Sequence, residues 1–227
     1  MLGAHQHPNR AAADGIAVIG IDVGGQRKGF HAVALTGGEY SGRYATSDVG
    51  RLVDWCRELK GAVIAVDAPC RWSIDGRARP AERQLMERGI WCFSTPTRQR
   101  AIEHPLNHYG WMLQGEELFK ALEASHPLCS ELPASGQQCC FETFPHAVTW
   151  HLNGGIADAK RKRTQRRALL TEAEIDLAAL TNIDFVDAAL CALTAHHVAS
   201  GGRCIRYGDA NTGHIIVPEG VRPRVKP

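Results

Sequence analysis

The chain has 227 residues, 44% of them hydrophobic, so it is long enough to bury a full core and suits one large domain. Its 26 basic and 24 acidic side chains nearly balance, and this balance alone indicates neither a nucleic-acid nor a membrane partner. No stretch approaches the roughly 18 consecutive apolar residues of a membrane helix. The eight cysteines contain no C-x-x-C pair and no secretory segment precedes them, so we expect reduced thiols in a cytoplasmic protein.

Both ends of the chain lack apolar periodicity. We expect residues 1–15 to be a disordered leader and residues 219–227 to be a basic tail. The remaining residues, 16–218, are predicted to form a single domain.

The first part of this domain predicts three consecutive strands and then a helix. Residues 16–23 form an apolar, β-branched run typical of a buried strand, and two further strands follow, joined at residues 37–38 as in a hairpin. The helix that comes next has Ser47 or Asp48 as its N-cap and Gly61 beyond its end.

Two of the predicted strands end in an aspartate. Asp22 follows the first strand, and Asp67 follows a second apolar run that Pro69 closes. A parallel, right-handed crossover between these two strands places them side by side. Because ligands in such sheets bind at the carboxyl ends of strands, we expect the two aspartates to lie together at a binding site.

The rest of the domain is predicted to be mainly helical. The sequence CCFETFP predicts a short strand with Glu142 at its centre, after a loop at 125–138. The last helix has Thr181 or Asn182 as its N-cap and carries two aspartates on one face. The other helices are expected at 77–89, 110–124 and 159–170.

Acidic side chains on separate elements indicate a site for a hard divalent cation. Mg²⁺ or Mn²⁺ is held by a few carboxylates together with waters and substrate phosphates, and two such ions can hydrolyse a phosphodiester. Any one of these acids is explained as well by an ordinary strand end or helix surface, but two strand-end aspartates favour the metal site. The candidate ligands are Asp22, Asp67, Glu142, Asp184 and Asp187.

Arginines form a second group of candidates. Several crowd the predicted helix at 77–89, and six of the eight residues at 160–167 are basic. Such clusters bind phosphate backbones, although a solvated helix face paired with nearby glutamates is the alternative. Arg83 is the preferred single contact. The arginines expected to bind substrate are Arg83, Arg88, Arg163, Arg166 and Arg167.

Seven motifs occur in the order seen in the domain-of-unknown-function 429 family, which this sequence resembles over roughly residues 16–218. They are GIDVGGQRKGFHAV, IAVDAP, AERQLMERG with FSTPT, FETFPHA, the basic run that leads to ALL, DFVDAALCALTA, and GHIIVP. Members of this family are predicted nucleases of the ribonuclease H fold. The order of the motifs is more specific than any one of them.

This resemblance implies an α/β fold with a ribonuclease H-like mixed sheet of five strands, flanked by helices and carrying a helical insertion. It also implies a catalytic carboxylate site built from Asp22, Asp67, Glu142 and Asp187. We expect Asp22 to bind both metal ions and Asp67 and Glu142 to hold one each. Asp187, assisted by Asp184, would complete the site.

The function expected from these residues is metal-dependent hydrolysis of a nucleic acid, DNA or RNA. A non-catalytic protein that binds nucleic acid or a nucleotide through its arginines is the alternative. A third class, an actin-like ATPase, is suggested by the DVGG turn after the first strand, but such ATPases need two domains of this kind.

Overall fold

The computed structural model describes residues 15–129 and 137–220. Most of the predicted leader and tail, and the middle of the predicted loop at 125–138, lie outside the described residues. No helix within the described ranges is long and apolar enough to cross a bilayer.

The core is a mixed sheet of seven strands in the order β3-β2-β1-β4-β5-β7-β6. The first three strands are antiparallel, β1, β4, β5 and β7 run parallel, and β6 is antiparallel to β7. The strands are β1 (Ala17–Val23), β2 (Phe30–Thr36), β3 (Glu39–Thr46), β4 (Val63–Asp67), β5 (Cys139–Glu142), β6 (Cys204–Asp209) and β7 (Gly213–Pro218).

The predicted mixed α/β sheet is confirmed, but the count of five strands is wrong. The two further strands, β6 and β7, form a hairpin at one edge of the sheet. β6 is largely half-buried and lacks a clear apolar alternation, so its sequence gives a weak strand signal.

The described residues form seven α-helices, most of which pack on the sheet. Asp48 caps the first by accepting a hydrogen bond from Arg51 N, and Asn182 caps the last by accepting one from Phe185 N at 2.8 Å. The helices are α1 (Val49–Glu58), α2 (Pro80–Glu87), α3 (Arg98–Ile102), α4 (Gly110–Leu122), α5 (Pro145–Leu152), α6 (Lys162–Glu172) and α7 (Ile183–Ala199).

Helix α7 packs directly on β1 because neither surface carries a bulky side chain at the crossing. A Cβ atom on Gly20 would lie 2.0 Å from Ala192 N and 2.1 Å from Ala188 O, so only glycine fits. The N-terminal turns of α7 therefore come beside the carboxyl end of β1, where the candidate acids lie. Helices α1 and α4 pack on the opposite face, against residues such as Ile19 and Ile21.

Candidate active site

Asp22 and Asp67 are direct neighbours at the carboxyl ends of β1 and β4. They are register partners on parallel strands, so their Cα atoms are about 4.8 Å apart and their side chains lie on the same face. That face is the one covered by α7, since Gly20 on the same strand contacts this helix. Among the described residues, no side chain or backbone group donates a hydrogen bond to either carboxylate.

Both aspartates hold their protons unusually tightly. Burial, together with the nearby Asp187 and Asp184 carboxylates, raises the pKa of Asp22 from 3.8 to about 8. Burial also raises the pKa of Asp67 well above 3.8, with Asp22 and Asp187 adding to the effect. The positive charges near Asp22 and Asp67 are therefore too few to offset these effects.

Helix α7 brings Asp184 and Asp187 to the same place, but each already has a basic partner. Arg166 Nη1 on α6 donates to Asp187, and Lys162 Nζ lies 3.9 Å from the same carboxylate. Lys28 Nζ lies 3.1 Å from Asp184. Burial still raises the pKa of Asp187, although Arg166 opposes the shift. We call Asp22, Asp67, Asp184 and Asp187 the aspartate cluster.

The turn between β1 and β2 holds Lys28 above the aspartate cluster. Gly29 has a φ of +65°, and a Cβ atom there would lie 2.4 Å from Thr46 O, so the turn requires glycine at this position. Gly24 N donates to Gly29 O at 2.9 Å, which closes the turn. The DVGG motif thus forms a compact turn that carries a lysine.

Sequence reasoning missed His31, which lies on β2 directly opposite Asp22. Its ring packs edge-on against Phe185 at 4.9 Å, and its Nδ1 is buried with no partner among the described residues. Burial lowers the pKa of His31 below 6.5, so the ring is neutral at pH 7 and offers Asp22 no positive charge. The sequence feature that could have identified His31 is the register of the β1–β2 hairpin, which pairs Asp22 with the residue nine positions after it.

Glu142 lies on the other face of the sheet. On β5 it is the register partner of Val66, not of Asp67, and side chains alternate between the two faces along a strand. Arg79 Nη2 donates to Glu142 Oε1 at 2.6 Å, and Arg79 Nη1 and Cys70 N donate to Oε2 at 3.0 Å and 2.8 Å. Glu142 is therefore matched with donors outside the aspartate cluster, although it lines a small cavity with Asp67 and contributes to the raised pKa of that residue.

Arg79 was counted only as one of a crowd of arginines, yet it is 2% exposed and connects several elements. Its Nε donates to Glu82 Oε1 at 2.8 Å, and its Nη1 also reaches Thr212 O at 3.2 Å. Thr95 donates to Glu82 through both its backbone N and its hydroxyl. We call Arg79, Glu82, Thr95 and Glu142 the Arg79 cluster.

The five arginines predicted to bind substrate do not lie together in the structure. Arg166 is buried against Asp187, whereas Arg167 donates to Leu180 O at 3.2 Å. The remaining three, Arg83, Arg88 and Arg163, are exposed. Arg88 lies over the Tyr207 ring, 5.7 Å from its centre, and does not contact the aspartate cluster.

A groove of about 550 Å³ opens beside the aspartate cluster. Lys162 and Arg166, the two partners of Asp187, line its basic side, and His146 lies next to them. Burial lowers the pKa of His146, and Arg166 and Lys162 lower it further, so this ring is neutral at pH 7. The cations of the site thus face both the acids and the groove.

Asp22 and Asp67 are the residues best placed to hold a divalent cation. Mg²⁺ commonly keeps several waters and takes only one or two carboxylates together with substrate phosphates, so two free carboxylates fit it. Across residues 15–129 and 137–220, no three His, Cys, Asp or Glu side chains are arranged as a complete metal cage. The fit therefore depends on the two strand-end aspartates alone.

The sheet and its paired acids define an α/β protein with a candidate cation site at two adjacent strand ends. Residues 20–212 match the family model described as "Protein of unknown function (DUF429)". Because this match covers most of the chain, the chain belongs to that family, which confirms the resemblance of its motifs. No curated protein and no solved structure matches the chain.

Proposed function

We propose that this protein is a metal-dependent phosphodiester hydrolase that acts on nucleic acid. One observation carries the proposal: Asp22 and Asp67 lie side by side at strand ends with no hydrogen-bond donor among the described residues, and burial raises the pKa of both. Both side chains are half-buried, and carboxylates that lose water without gaining a partner are costly, so a cation at this position would relieve them. Mg²⁺ or Mn²⁺ is the cation that two carboxylates and a phosphate suit.

When bound, the metal would supply Lewis-acid polarisation of a phosphoryl oxygen and an acidified water. Asp22 and Asp67 would hold it, each through a carboxylate that must first lose its proton. Asp187 would stand beside them, kept in one orientation by Arg166. Lys162 and Arg166 would neutralise the phosphate as it approaches from the groove.

Glu142 has a different part in this proposal. Its oxygens already accept three hydrogen bonds, from Arg79 and from Cys70 N, so we assign it to the support of the loops around the site. Arg83 and Arg88 are likewise left out of the substrate site, because neither contacts the aspartate cluster.

The test is hydrolysis of bis(p-nitrophenyl) phosphate in the presence of Mn²⁺. We expect Asp67→Asn to lower the rate by about 100-fold or more, because loss of one ligand removes most of the charge stabilisation in the transition state. Asp54→Asn is the matched control, since Asp54 is an exposed aspartate on α1, on the far side of the sheet. Wild-type rates in Asp67→Asn, or no hydrolysis by the wild type, would remove the proposal.

The second candidate is a protein that binds nucleic acid without cleaving it. The exposed basic residues at the start of α6 favour it, since they would attract phosphates whether or not a metal binds. Oligonucleotide binding without Mn²⁺-dependent hydrolysis would select this candidate.

A further inference from the structure

Two large aromatic side chains stand in solvent on the loop 88–97, between α2 and α3. Trp91 is 76% exposed and Phe93 is 70% exposed, although both are residue types that folded proteins usually cover. The Arg79 cluster fixes the end of this loop, because Thr95 bonds to the buried Glu82. The aromatic rings are therefore presented from a loop that is tied to the core.

Both rings line the groove beside the aspartate cluster, and Lys162 and Arg166 line the same groove. Phe93 also lines a small cavity that reaches Asp67, so it lies between the groove and the acids. The groove thus combines aromatic and basic side chains with one acid, Asp158, and Arg166 connects it to the candidate active site through Asp187.

Arg166 supplies an independent sign of a missing ligand. It is buried, its Nη1 bonds to Asp187, and its Nε has no partner among the described residues. Lys162 can also bind a further anionic group, because its side chain is 45% exposed and its Nζ lies no closer than 3.9 Å to Asp187. Exposed Arg161 and Arg163 extend the positive charge along the same segment.

We propose that this groove binds single-stranded nucleic acid, with an unpaired base stacked on Trp91 and Phe93 and its phosphate held by Lys162 and Arg166. Stacking platforms beside basic grooves suit single strands, whose bases expose their faces, whereas the bases of a duplex are covered by their neighbours. The inference rests on the proposed function for the role of the acids, because it names the substrate class that would reach them.

The test measures binding of a fluorescent oligothymidylate by anisotropy in EDTA, so that neither metal nor cleavage contributes. The comparison ligand is an abasic oligomer of the same length, which has the same phosphates without bases. We expect the wild type to bind oligothymidylate about 10-fold or more tightly than the abasic oligomer, because stacking adds to the phosphate contacts.

Trp91→Ala and Phe93→Ala should each weaken oligothymidylate binding by about 5-fold or more and leave abasic binding unchanged. Trp91→Phe should recover most of the affinity, because a phenyl ring still stacks. Ile74→Ala is the matched control, since Ile74 is 76% exposed but does not line the groove. Thermal unfolding of each variant verifies that it folds.

Equal affinity for the two oligomers, tighter binding of a duplex, or unchanged binding in Trp91→Ala and Phe93→Ala would overturn the inference. These results are separable from the hydrolysis test. If the protein hydrolyses bis(p-nitrophenyl) phosphate but does not distinguish the oligomers, the proposed function stands and only the proposal for the groove is wrong. If the protein distinguishes the oligomers but does not hydrolyse the ester, the groove proposal stands and the proposed hydrolase activity is wrong.

Discussion

Two clusters of carboxylates lie near the same end of the sheet, and Asp67, Glu82 and Glu142 line one small cavity there, but only one cluster is supplied with hydrogen-bond donors. In the Arg79 cluster the oxygens of Glu82 and Glu142 accept seven hydrogen bonds from Arg79, Thr95 and Cys70. In the aspartate cluster, Asp22 and Asp67 accept none within the described part of the chain, and burial raises the pKa of both.

The difference separates structural acids from functional ones. A buried carboxylate that the fold needs is matched with donors, since an unmatched one costs stability. Two neighbouring carboxylates without donors are typical of a site where a bound ligand supplies the missing partner. Raised pKa values are common at such functional sites. The comparison predicts opposite responses to substitution in the two clusters.

The largest effect is expected from Arg79→Ala. Removing this guanidinium leaves two buried carboxylates without their main partner, so we expect a loss of about 3 to 5 kcal/mol in the free energy of unfolding. Arg83→Ala on the same helix is the control, because Arg83 is exposed, and should change stability by less than about 0.5 kcal/mol. Urea unfolding measures both, and equal effects would contradict the structural role of Arg79.

Asp187→Ala should also destabilise the protein, by about 1 to 3 kcal/mol, because it leaves the buried Arg166 without its carboxylate. The same substitution should weaken Mn²⁺ binding. A variant as stable as the wild type would show that the Arg166 pair does not support the fold.

Asp22→Asn should act in the opposite direction and stabilise the metal-free protein at pH 8 by about 1 to 3 kcal/mol. The substitution removes a charge that the site repels and keeps the side-chain shape. Urea unfolding in EDTA measures this effect, and destabilisation would mean that the Asp22 carboxylate already has a stabilising partner.

The pH dependence follows from the same shift. Because the pKa of Asp22 is about 8 when folded and near 3.8 when unfolded, the folded state binds more protons between these values. The contribution of Asp22 to stability therefore falls as the pH rises from about 4 to about 8. We expect unfolding in EDTA to show this decline, and Asp22→Asn to flatten part of it. An identical profile in the variant would contradict the shift.

The smallest effect is expected from Lys28→Ala. The Lys28 side chain is 64% exposed, so its ion pair with Asp184 should contribute less than about 1 kcal/mol. Thermal unfolding measures it, and a loss well above this range would place Lys28 among the structural partners of the cluster.

The adjacency of Asp22 and Asp67 could be predicted from sequence. Both follow apolar runs, and the right-handed crossover rule places the two strands side by side, which the parallel pairing of β1 and β4 confirms. The close approach of α7 depends on Gly20 and on the small residues that it meets, Ala188 and Ala192.

The side of the sheet on which Glu142 lies could not be predicted. The four residues of β5 are all buried, so they show no alternation from which to fix the register, and a shift of one residue moves a side chain to the other face. Arg79 could not be told from Arg83 either, because α2 begins three residues later than the arginine-rich stretch suggested. The roles of these side chains depend on tertiary contacts that no local pattern contains.

The central claim is that Asp22 and Asp67 bind a divalent cation. Calorimetric titration of the protein with Mn²⁺ at pH 7 tests this claim most directly. Because the pKa values of Asp22 and Asp67 are both raised, that of Asp22 to about 8, we expect binding to release at least one proton, measured by comparing buffers of different ionisation enthalpy. Asp67→Asn should weaken the binding about 10-fold or more, whereas Asp54→Asn should not. Absence of Mn²⁺ binding to the wild type, or binding that Asp67→Asn leaves unchanged, would contradict the claim.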